Sequence, residues 1–235
     1  MKCNNCQAEW TPPPGKSEAS CPFCSEPITM HKFDSKSIKM DSIISFGSYD
    51  WRVLYLQNDK ALILTENIVD KRLYNNEKEN VTWATCTLRN YLNNVFLNMF
   101  TIAEQRRIEE TRIFNNDNFW YKVKGGSDTI DKIFLLSLEE ADKYFGNSGD
   151  YQNKIRKKTD VLSNWVQNND GHCINNNDNK NRVAYLNNEI CWWWLRSPGH
   201  DNCNAAFVCK DGCVDVDGRS VCSEGGVRPA LWLNL

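Results

Sequence analysis

Two pairs of cysteines near the N-terminus form the clearest chemical pattern in the sequence. Cys3 and Cys6, and then Cys21 and Cys24, are each separated by two residues, and 14 residues lie between the pairs. A C-x-x-C turn brings two thiolates to one side of a tetrahedral cation, with Zn–S distances of about 2.3 Å. Four thiolates leave no coordination position for an activated water, so we expect one structural zinc ion. Two disulfides, or a redox C-x-x-C, fit less well because we expect no secretory leader and because no βαβ pattern surrounds the pairs.

The remaining cysteines are scattered singly along the chain. They are Cys86, Cys173, Cys191, Cys203, Cys209, Cys213 and Cys222. The odd total of 11 argues against a fully paired disulfide framework. Residues 203–222 hold four of them, with 5, 3 and 8 residues between successive cysteines and no C-x-x-C turn. A second zinc site in this segment is therefore the weaker alternative to a surface that displays the thiols.

The composition restricts the size and the class of the protein. The chain has 235 residues, of which 41% are hydrophobic and 25% are charged, enough for one large domain or for a small and a medium one. Its 28 basic and 30 acidic residues leave a formal net charge of −2, so we do not expect nucleic acid as the main partner. The longest apolar stretches, such as 133–136, are far shorter than the roughly 20 residues that cross a bilayer. We expect a cytoplasmic protein without a membrane span.

Three segments follow from the patterns along the chain. Residues 1–30 form the expected zinc ribbon, which is too small to fold without its metal. Residues 31–41 lack hydrophobic periodicity and are predicted to be a linker. Residues 42–235 form the larger domain, and we expect it to be α+β.

The first half of the larger domain predicts a hairpin and three helices. Bulky and β-branched residues at 51–56 and 61–65, separated by four polar residues, predict the hairpin. Helical spacing from Thr87 to Met99 predicts an amphipathic helix with Thr85 as its N-cap, and 102–108 predicts a shorter one. A capping box formed by Ser137 and Glu140 predicts the start of the third helix.

The second half predicts loops followed by a strand meander. Residues 151–188 are asparagine-rich and have no usable periodicity, so we expect long loops there. After Cys191 come short strands, at 192–195, 205–209, 213–216, 220–222 and 227–233. The dipeptides Asp211-Gly212 and Asp217-Gly218 are strong hairpin signals, and both are expected to be turns between these strands.

Alternation along the meander separates two sets of side chains. The first set is small or β-branched and is predicted to face the core: Ala206, Val208, Val214, Val216 and Val221. The second set mixes aromatic, thiol, acid, base and hydroxyl groups: Phe207, Cys209, Cys213, Asp215, Arg219, Ser220 and Cys222. A face with so little common chemistry is not a packing face. It is either an ordinary solvated surface or, together with Trp192, His200 and Asp201, a ligand-binding surface.

The tryptophan run at 192–194 and two arginines have open roles. At least one tryptophan is expected in the core, whereas an exposed pair would form a stacking platform. Arg196 and Arg228 are expected to be structural and to donate to loop carbonyls.

No catalytic group stands out in the sequence. The three histidines, His31, His172 and His200, lie next to no nucleophile motif, and Gly125-Gly126 lacks the spacing of a phosphate loop. We therefore expect a binding protein rather than an enzyme.

Long motifs resemble an uncharacterised domain family common in gut and clostridial bacteria, whose members often follow a zinc ribbon. The motifs occupy 46–54 (FGSYDWRVL), 83–93 (WATCTLRNYLN), 131–137 (DKIFLLS), 193–199 (WWLRSPG) and 226–235 (GVRPALWLNL). The family is similar to a branch of the C-type lectin fold, related to formylglycine-generating enzymes and to the variable proteins of diversity-generating retroelements. Residues 157–190 depart from the family by being longer and richer in asparagine.

The resemblance implies a function. In the variable proteins a fixed strand scaffold displays positions that are rewritten by adenine-directed mutagenesis, and the mixed set above resembles such an outcome. The implied partner is a protein or a glycan of unknown identity. The alternatives are a fixed-sequence glycan-binding domain, a calcium-binding lectin using Asp201, Asn202, Asn204 and the run 175–179, or an enzyme of the formylglycine-generating class. No cysteine pair aligns with the motif of those enzymes, so no catalytic residue is carried over.

The resemblance also implies an architecture. Because C-type lectin folds bring their terminal strands together, 53–56 and 230–233 should share one sheet. The expected core contains Trp51, Leu88, Leu92, Phe96, Phe134, Leu136, Val208 and Val214.

Overall fold

The computed structural model describes residues 9, 18–20, 22–24, 27–29, 38–145, 173–174 and 177–235. Within them, β-strands dominate and the helices are short, which is an α+β arrangement. The strands are β1 Glu18–Ser20, β2 Pro27–Thr29, β3 Ile43–Phe46, β4 Tyr49–Gln57, β5 Lys60–Thr65, β6 Asp70–Leu73, β7 Thr111–Ile113, β8 Thr129–Asp131, β9 Cys173–Ile174, β10 Ala184–Leu186, β11 Glu189–Cys191, β12 Trp193–Pro198, β13 Asn204–Val208, β14 Val214–Ser220, β15 Glu224–Val227 and β16 Ala230–Asn234. The α-helices are α1 Thr87–Tyr91, α2 Ile102–Gln105, α3 Leu138–Lys143 and α4 Asn179–Arg182.

A four-stranded antiparallel sheet joins the beginning and the end of the larger domain. Its order is β16-β5-β4-β3, and β5 lies in the middle with the side chains of 61–65 buried. The predicted hairpin is confirmed by the register of β4 with β5, in which Leu56 opposes Ala61. Residues 53–56 and 230–233 lie in this one sheet, as predicted.

A six-stranded sheet carries the C-terminal strands. Its order is β6-β15-β12-β13-β14-β9, and β12 pairs with β15 in parallel through Trp193 and Gly226. The chain passes from β15 in this sheet to β16 in the other through Arg228 and Pro229. Arg228 is buried at this crossing, where its Nε donates to the carbonyl of Thr65 at 2.8 Å. The predicted structural role of Arg228 is confirmed.

The hydrophobic core contains all eight residues predicted for it. Trp51, Leu88, Leu92, Phe96, Phe134, Leu136, Val208 and Val214 are each buried. One buried ion pair also stabilises this region: Arg196 on β12 donates to the carboxylate of Glu140 on α3, including an Nη2 to Oε1 bond of 3.1 Å. Arg196 Nη1 also donates to the carbonyl of Leu135 at 2.8 Å, so its predicted structural role is confirmed.

The helix predicted from Thr87 to Met99 changes its pitch along its length. It is α-helical in α1, a π-helix at Leu92–Phe96 and a 3₁₀-helix at Leu97–Met99. Because π turns are wider, Leu88, Leu92 and Phe96 at i+4 spacing fall on the buried side. Val95 and Met99 lie outside that side and are 54% and 55% exposed.

The helix starts were predicted with mixed success. Thr85 is not the N-cap of α1; Cys86 is, and its Sγ accepts from the backbone N–H of Arg89 at 3.4 Å. The second helix, α2, is shorter than expected and ends at Gln105. The Ser137 and Glu140 capping box at the start of α3 is confirmed.

Only one of the two Asp-Gly dipeptides is a hairpin turn. Asp211-Gly212 lies in the loop between β13 and β14, as predicted. Asp217-Gly218 lies inside β14, in a bulge where the pairing shifts from Phe207–Asp215 to Ala205–Arg219. The separate strand predicted at 220–222 is wrong, because β14 continues to Ser220 and the chain turns at 221–222. Gly218 adopts φ +82° in the bulge, where a Cβ would come within 2.8 Å of the carbonyl oxygen of Ala205.

The region predicted as long loops contains ordered elements where it is described. Helix α4 lies there, and Arg182 at its end is buried. Asn187 and Asn188 have φ of 52° and 67° and form the two-residue turn between β10 and β11. Asparagine tolerates this left-handed conformation, so part of the asparagine content that indicated loops encodes a hairpin turn.

The N-terminal region contributes one small hairpin to the described residues. Strands β1 and β2 pair antiparallel, and residues 22–24 between them form a turn. Of the predicted zinc ligands, Cys24 is half-buried, whereas Cys3, Cys6 and Cys21 lie outside the described residues. The predicted linker already joins the larger domain at its end, because Ile38 is buried and the Asp41 N–H donates to the Val53 carbonyl at 2.8 Å. Among the described helices, none has the length and apolar character needed to cross a membrane.

Candidate functional site

The inner face of β13 and β14 is a packing surface. Ala206, Val208, Val214, Val216 and Val221 are all 0% exposed. Helix α3 packs against β14. The prediction that these five small or β-branched residues face the core is confirmed, and they supply stability rather than chemistry.

The outer face carries an aromatic platform, which we define as Trp192, Phe207 and Arg219. The ring centroids of Trp192 and Phe207 are 5.2 Å apart in an edge-to-face arrangement. The guanidinium carbon of Arg219 lies 5.0 Å from the Trp192 centroid and 5.8 Å from the Phe207 centroid. Arg219 is exposed and the two rings are half-buried. The platform therefore presents a cation over two aromatic rings to solvent.

Residues beneath the platform determine its position. Phe207 is paired with Trp194 on one side and with Asp215 on the other. Trp194 is buried, lies 4.8 Å from the Trp192 centroid and donates from Nε1 to the carbonyl of Arg72 at 3.0 Å. A Cβ on Gly225 would collide with both indoles, so a glycine at this position lets them lie on β15. Trp194 and the β15 backbone at Gly225 therefore fix the position of Trp192.

The tryptophan run is more buried than the alternation predicted. Trp193 and Trp194 are both fully buried, and Trp192 alone is partly accessible. Trp193 donates from Nε1 to the carbonyl of Arg182 at 2.9 Å. The expectation that at least one tryptophan lies in the core is confirmed. An exposed tryptophan pair is excluded because Tyr74 packs edge-on against Trp194, with centroids 5.6 Å apart.

Asp215 provides the half-buried carboxylate of the outer face. Its Oδ1 accepts from the Gly218 N–H at 2.9 Å, which closes the bulge in β14. Burial raises the pKa of Asp215, and the neighbouring Asp217 adds to this, while the Gly218 hydrogen bond opposes it. The bulge therefore fixes this carboxylate beside the platform.

The loop after β12 places His200 and Asp201 in solvent. His200 Nδ1 donates to the carbonyl of Asp217 at 2.9 Å, since a carbonyl can only accept, and a neutral ring then offers Nε2 as an acceptor. Asp201 Oδ1 accepts from the Cys203 N–H at 2.8 Å and from the Asn204 amide at 2.7 Å. Both predicted residues are exposed and sit on a turn held by hydrogen bonds.

Two residues that sequence reasoning missed connect this loop to β14. Tyr121 donates to the carboxylate of Asp217, and its ring lies 6.1 Å from the His200 ring. Burial raises the pKa of Tyr121, and the hydrogen bond to Asp217 raises it further. Asn118 is buried and donates from Nδ2 to the carbonyls of Pro198, Gly199 and Val216 at 2.9–3.0 Å. Both lie in a polar segment with no periodicity, so no local signal identified them.

The predicted thiols do not share one environment. Cys209 and Cys222 are half-buried, but Cys213 is only 5% exposed and is not part of the accessible surface. The prediction that Cys213 is displayed is wrong, because its thiol turns toward those of Cys209 and Cys173. Cys222 lies apart and its Sγ is 4.0 Å from the carbonyl oxygen of Asn76.

Ser220 is the last predicted member of the surface, half-buried at the end of β14 opposite Asn204. Nine of the ten predicted residues are therefore at least partly accessible: Trp192, His200, Asp201, Phe207, Cys209, Asp215, Arg219, Ser220 and Cys222. We call these nine the outer surface.

Candidate metal ligands do not assemble in the part of the chain that the structure describes. No group of three or more His, Cys, Asp or Glu side chains suited to a cation occurs there. The calcium alternative depended partly on Asn202 and Asn204. Their amides donate to the Lys124 carbonyl at 3.0 Å and to Asp201, so they hold the loop together.

A separate cleft of about 680 Å³ opens between β4 and the β10–β11 turn. Its lining is rich in hydroxyl, amide and tyrosine groups: Ser48, Tyr49, Asp50, Thr65, Asn67, Tyr185, Asn187 and Asn188. Thr65 is 1% exposed, and its Oγ1 has no hydrogen-bond partner. Sequence reasoning missed this cleft, because its walls come from segments more than 100 residues apart.

Together, the fold and the outer surface define an α+β domain with chemically mixed, partly accessible side chains on and around β13 and β14. Residues 58–235 match the family model described as Domain of unknown function (DUF6273), and the chain belongs to this family. No curated protein and no solved structure matches the sequence.

Proposed function

We propose that this chain is a non-enzymatic binding protein and that the outer surface holds a protein ligand. The observation that carries the proposal is the aromatic platform, in which the exposed Arg219 lies over Trp192 and Phe207. Tryptophan, aromatic and arginine side chains with fixed positions are the groups that dominate binding energy in protein interfaces. Asp215, paired with Phe207, adds a carboxylate beside them.

The two faces of β13 and β14 support a scaffold that tolerates change on one side. Every small aliphatic residue of the inner face is fully buried, while the outer surface mixes aromatic, acidic, basic and thiol groups. Surface substitutions usually alter stability by less than about 0.5 kcal/mol. We propose that the chain has a C-type lectin fold and that the outer surface is diversified like those of retroelement variable proteins.

The N-terminal region is proposed to be a zinc ribbon with Cys3, Cys6, Cys21 and Cys24 as ligands. The connection between β1 and β2 contains the second C-x-x-C pair, and a hairpin connection is where a ribbon carries such a pair. We also propose a cytoplasmic location, because the odd total of 11 cysteines argues against a fully paired disulfide framework.

The binding proposal can be tested with a defined probe. A library of phage-displayed random peptides is panned on the purified full chain and, in parallel, on the variant W192A/F207A/R219A. Ile130 is 68% exposed and outside the outer surface, so I130S is the matched control. We expect peptides enriched on the wild-type chain to bind I130S with the same affinity. Their affinity for the triple variant should be at least tenfold lower. Peptides that bind all three chains alike would contradict the proposal.

Diversification has its own test. Deep sequencing of the 3′ end of the gene across a host population should find changes at adenines that encode the outer surface. Codons for Val208, Val214 and Val216 should stay constant. Changes spread evenly over both sets, or none at all, would leave a fixed binding surface.

A second candidate function is favoured by the cleft beside β4. Its two tyrosines and several amides suit the apolar face and the hydroxyls of a small sugar. Ligand-detected NMR with a panel of mono- and disaccharides would reveal such binding, with Y185A as the variant that should remove it. A signal that persists in Y185A would argue against the cleft.

A further inference from the structure

The loop between β13 and β14 brings two cysteines face to face. Val208 pairs with Val214, and the next residues, Cys209 and Cys213, are joined by a hydrogen bond from the Cys209 N–H to the Cys213 carbonyl at 2.8 Å. Gly212 closes the loop with φ +83°, and its N–H donates to the Cys209 carbonyl at 3.0 Å. This is a three-residue hairpin loop with a left-handed glycine at its last position.

The protein holds this loop rigidly from behind. The buried Arg182 donates from Nε to the Gly212 carbonyl at 2.8 Å. A Cβ on Gly212 would collide with the backbone of Asn179, so α4 and the loop lie in close contact. Contacts with Arg182 and α4 therefore support the loop that places Cys209 and Cys213 opposite each other.

The geometry suits a covalent bond between the two sulfur atoms. Directly opposed residues of an antiparallel pair have Cα atoms about 4.5–5.5 Å apart. Disulfides span Cα separations of about 4.4–6.8 Å. Cys209 and Cys213 follow directly on the Val208–Val214 pair and are joined by a backbone hydrogen bond, so little backbone movement is needed to join their sulfur atoms.

The two thiols differ in proton affinity and in access. The hydrogen bond from Cys213 lowers the pKa of Cys209, although burial and the nearby Asp215 and Asp211 oppose the shift. The same hydrogen bond, together with burial, raises the pKa of Cys213. Cys209 is the half-buried and more accessible member of the pair, whereas Cys213 is buried behind it. Cys209 is thus the nucleophile and Cys213 the group that follows it.

We propose that Cys209 and Cys213 form a reversible disulfide by exchange with a low-molecular-weight disulfide. The Cys209 thiolate attacks one sulfur of the small disulfide, which forms a mixed disulfide and releases one small thiolate. Cys213 then loses its proton and attacks the Cys209 sulfur, which forms the internal bond and releases the second small thiolate. In total two protein thiols lose two electrons, and one small disulfide gains them as two thiols.

The third thiol of the cluster does not take part in this bond. Cys173 on β9 lies opposite Asp215, and its thiol hydrogen-bonds to Cys213. No hairpin loop joins Cys173 to either of the other two, so their backbones are not held opposite each other in the same way. The structure assigns the bond to Cys209 and Cys213 alone.

The test uses the full chain, reduced and then kept in buffer with zinc so that the N-terminal thiols can stay bound to metal. Oxidised glutathione is the probe, and mass spectrometry with peptide mapping is the readout. We expect a loss of two hydrogens and one internal bond between Cys209 and Cys213. Cys203 and Cys222 are internal controls, because both are half-buried thiols that contact oxygen atoms of Asn80 and Asn76. They should react about tenfold more slowly than Cys209, whose pKa is lowered by the neighbouring Cys213.

Two variants separate the steps of the exchange. C213S should accumulate one glutathione on Cys209 and form no internal bond. C209S should form neither the mixed disulfide at position 209 nor the internal bond. Circular dichroism of each variant checks that the chain is folded. An internal bond from Cys173, equal reactivity of Cys209 and the control thiols, or a metal ion that the wild-type chain carries and C213S loses would overturn the proposal. None of these readouts uses a ligand, so the result is independent of the binding function proposed above.

Discussion

The two faces of β13 and β14 show how one stretch of backbone separates stability from recognition. On the inner face the five small aliphatic residues are completely buried and chemically alike. On the outer face neighbouring side chains are an aromatic ring, a carboxylate and a guanidinium, all at least partly accessible. Because period-2 alternation assigns each residue to one face, the inner set can hold the sheet on the core while the outer set changes. Substitutions should therefore have very different costs on the two faces.

The largest expected effect comes from two adjacent tryptophans. Trp193 is fully buried, whereas Trp192 is half-buried on the aromatic platform. We expect W193A to lower the free energy of unfolding by about 4 kcal/mol, as buried aromatic truncations do. W192A should lower it by about 1 kcal/mol. Urea denaturation followed by circular dichroism measures both, and equal losses would mean that the platform is part of the core.

Two arginines provide the next comparison. Arg196 is buried and paired with Glu140, whose side chain is 25% exposed, while Arg219 is exposed over the platform rings. R196M should lower the free energy of unfolding by about 3 kcal/mol, because it leaves the carboxylate without its partner. R219M keeps the length of the side chain and should cost less than about 0.5 kcal/mol. The same denaturation experiment applies, and a costly R219M would assign Arg219 a structural role.

Acidification should lower the free energy of unfolding through the Glu140–Arg196 pair. Burial alone would raise the pKa of Glu140, but the Arg196 guanidinium and the Ser137 hydrogen bond hold it below its ordinary value of 4.5. A lowered pKa in the folded state adds stability that is present above pH 4.5 and is lost as the pH falls through the folded value. Unfolding curves measured from pH 6 to pH 3 should therefore show falling stability. In the variant E140Q the free energy of unfolding should fall less steeply with pH. An unchanged slope would contradict the assignment of this pH dependence to Glu140.

The smallest effect has the opposite sign and lies on the outer face. Burial raises the pKa of Asp215, so the folded chain binds the Asp215 proton more tightly than the unfolded chain does. The charge of Asp215 therefore costs stability at neutral pH, and this cost disappears as the pH falls through the raised value. D215N should raise the free energy of unfolding at pH 7 by up to about 0.5 kcal/mol. A clear loss would mean that the bond from the Gly218 N–H outweighs the cost of burying the charge.

Local patterns predicted much of the fold. The β4–β5 hairpin, the Ser137 capping box and the inner set of the meander were all readable, because each depends on periodicity or on contacts within a few residues. The aromatic platform was predicted in part, since alternation placed Phe207 on the outer face. The contacts of Phe207 with Trp192 and Arg219 were not predictable, because they depend on the pairing of β13 with β12 and β14.

The two Asp-Gly dipeptides separate what the sequence determined from what tertiary structure decided. Both have the same local preference for positive φ at glycine, and both glycines adopt it, at +83° and +82°. Around Asp211-Gly212 the strands end and the chain reverses. Around Asp217-Gly218 the Gly218 N–H donates to Asp215, the Asn118 amide donates to the Val216 carbonyl, and β14 pairs with β13 on both sides, so the same dipeptide becomes a bulge. The burial of Trp194 and Cys213 was decided in the same way, by Tyr74 and Cys173 from distant segments. Sequence sets the conformations that each residue can adopt and the face it occupies, whereas long-range pairing decides which neighbours cover it.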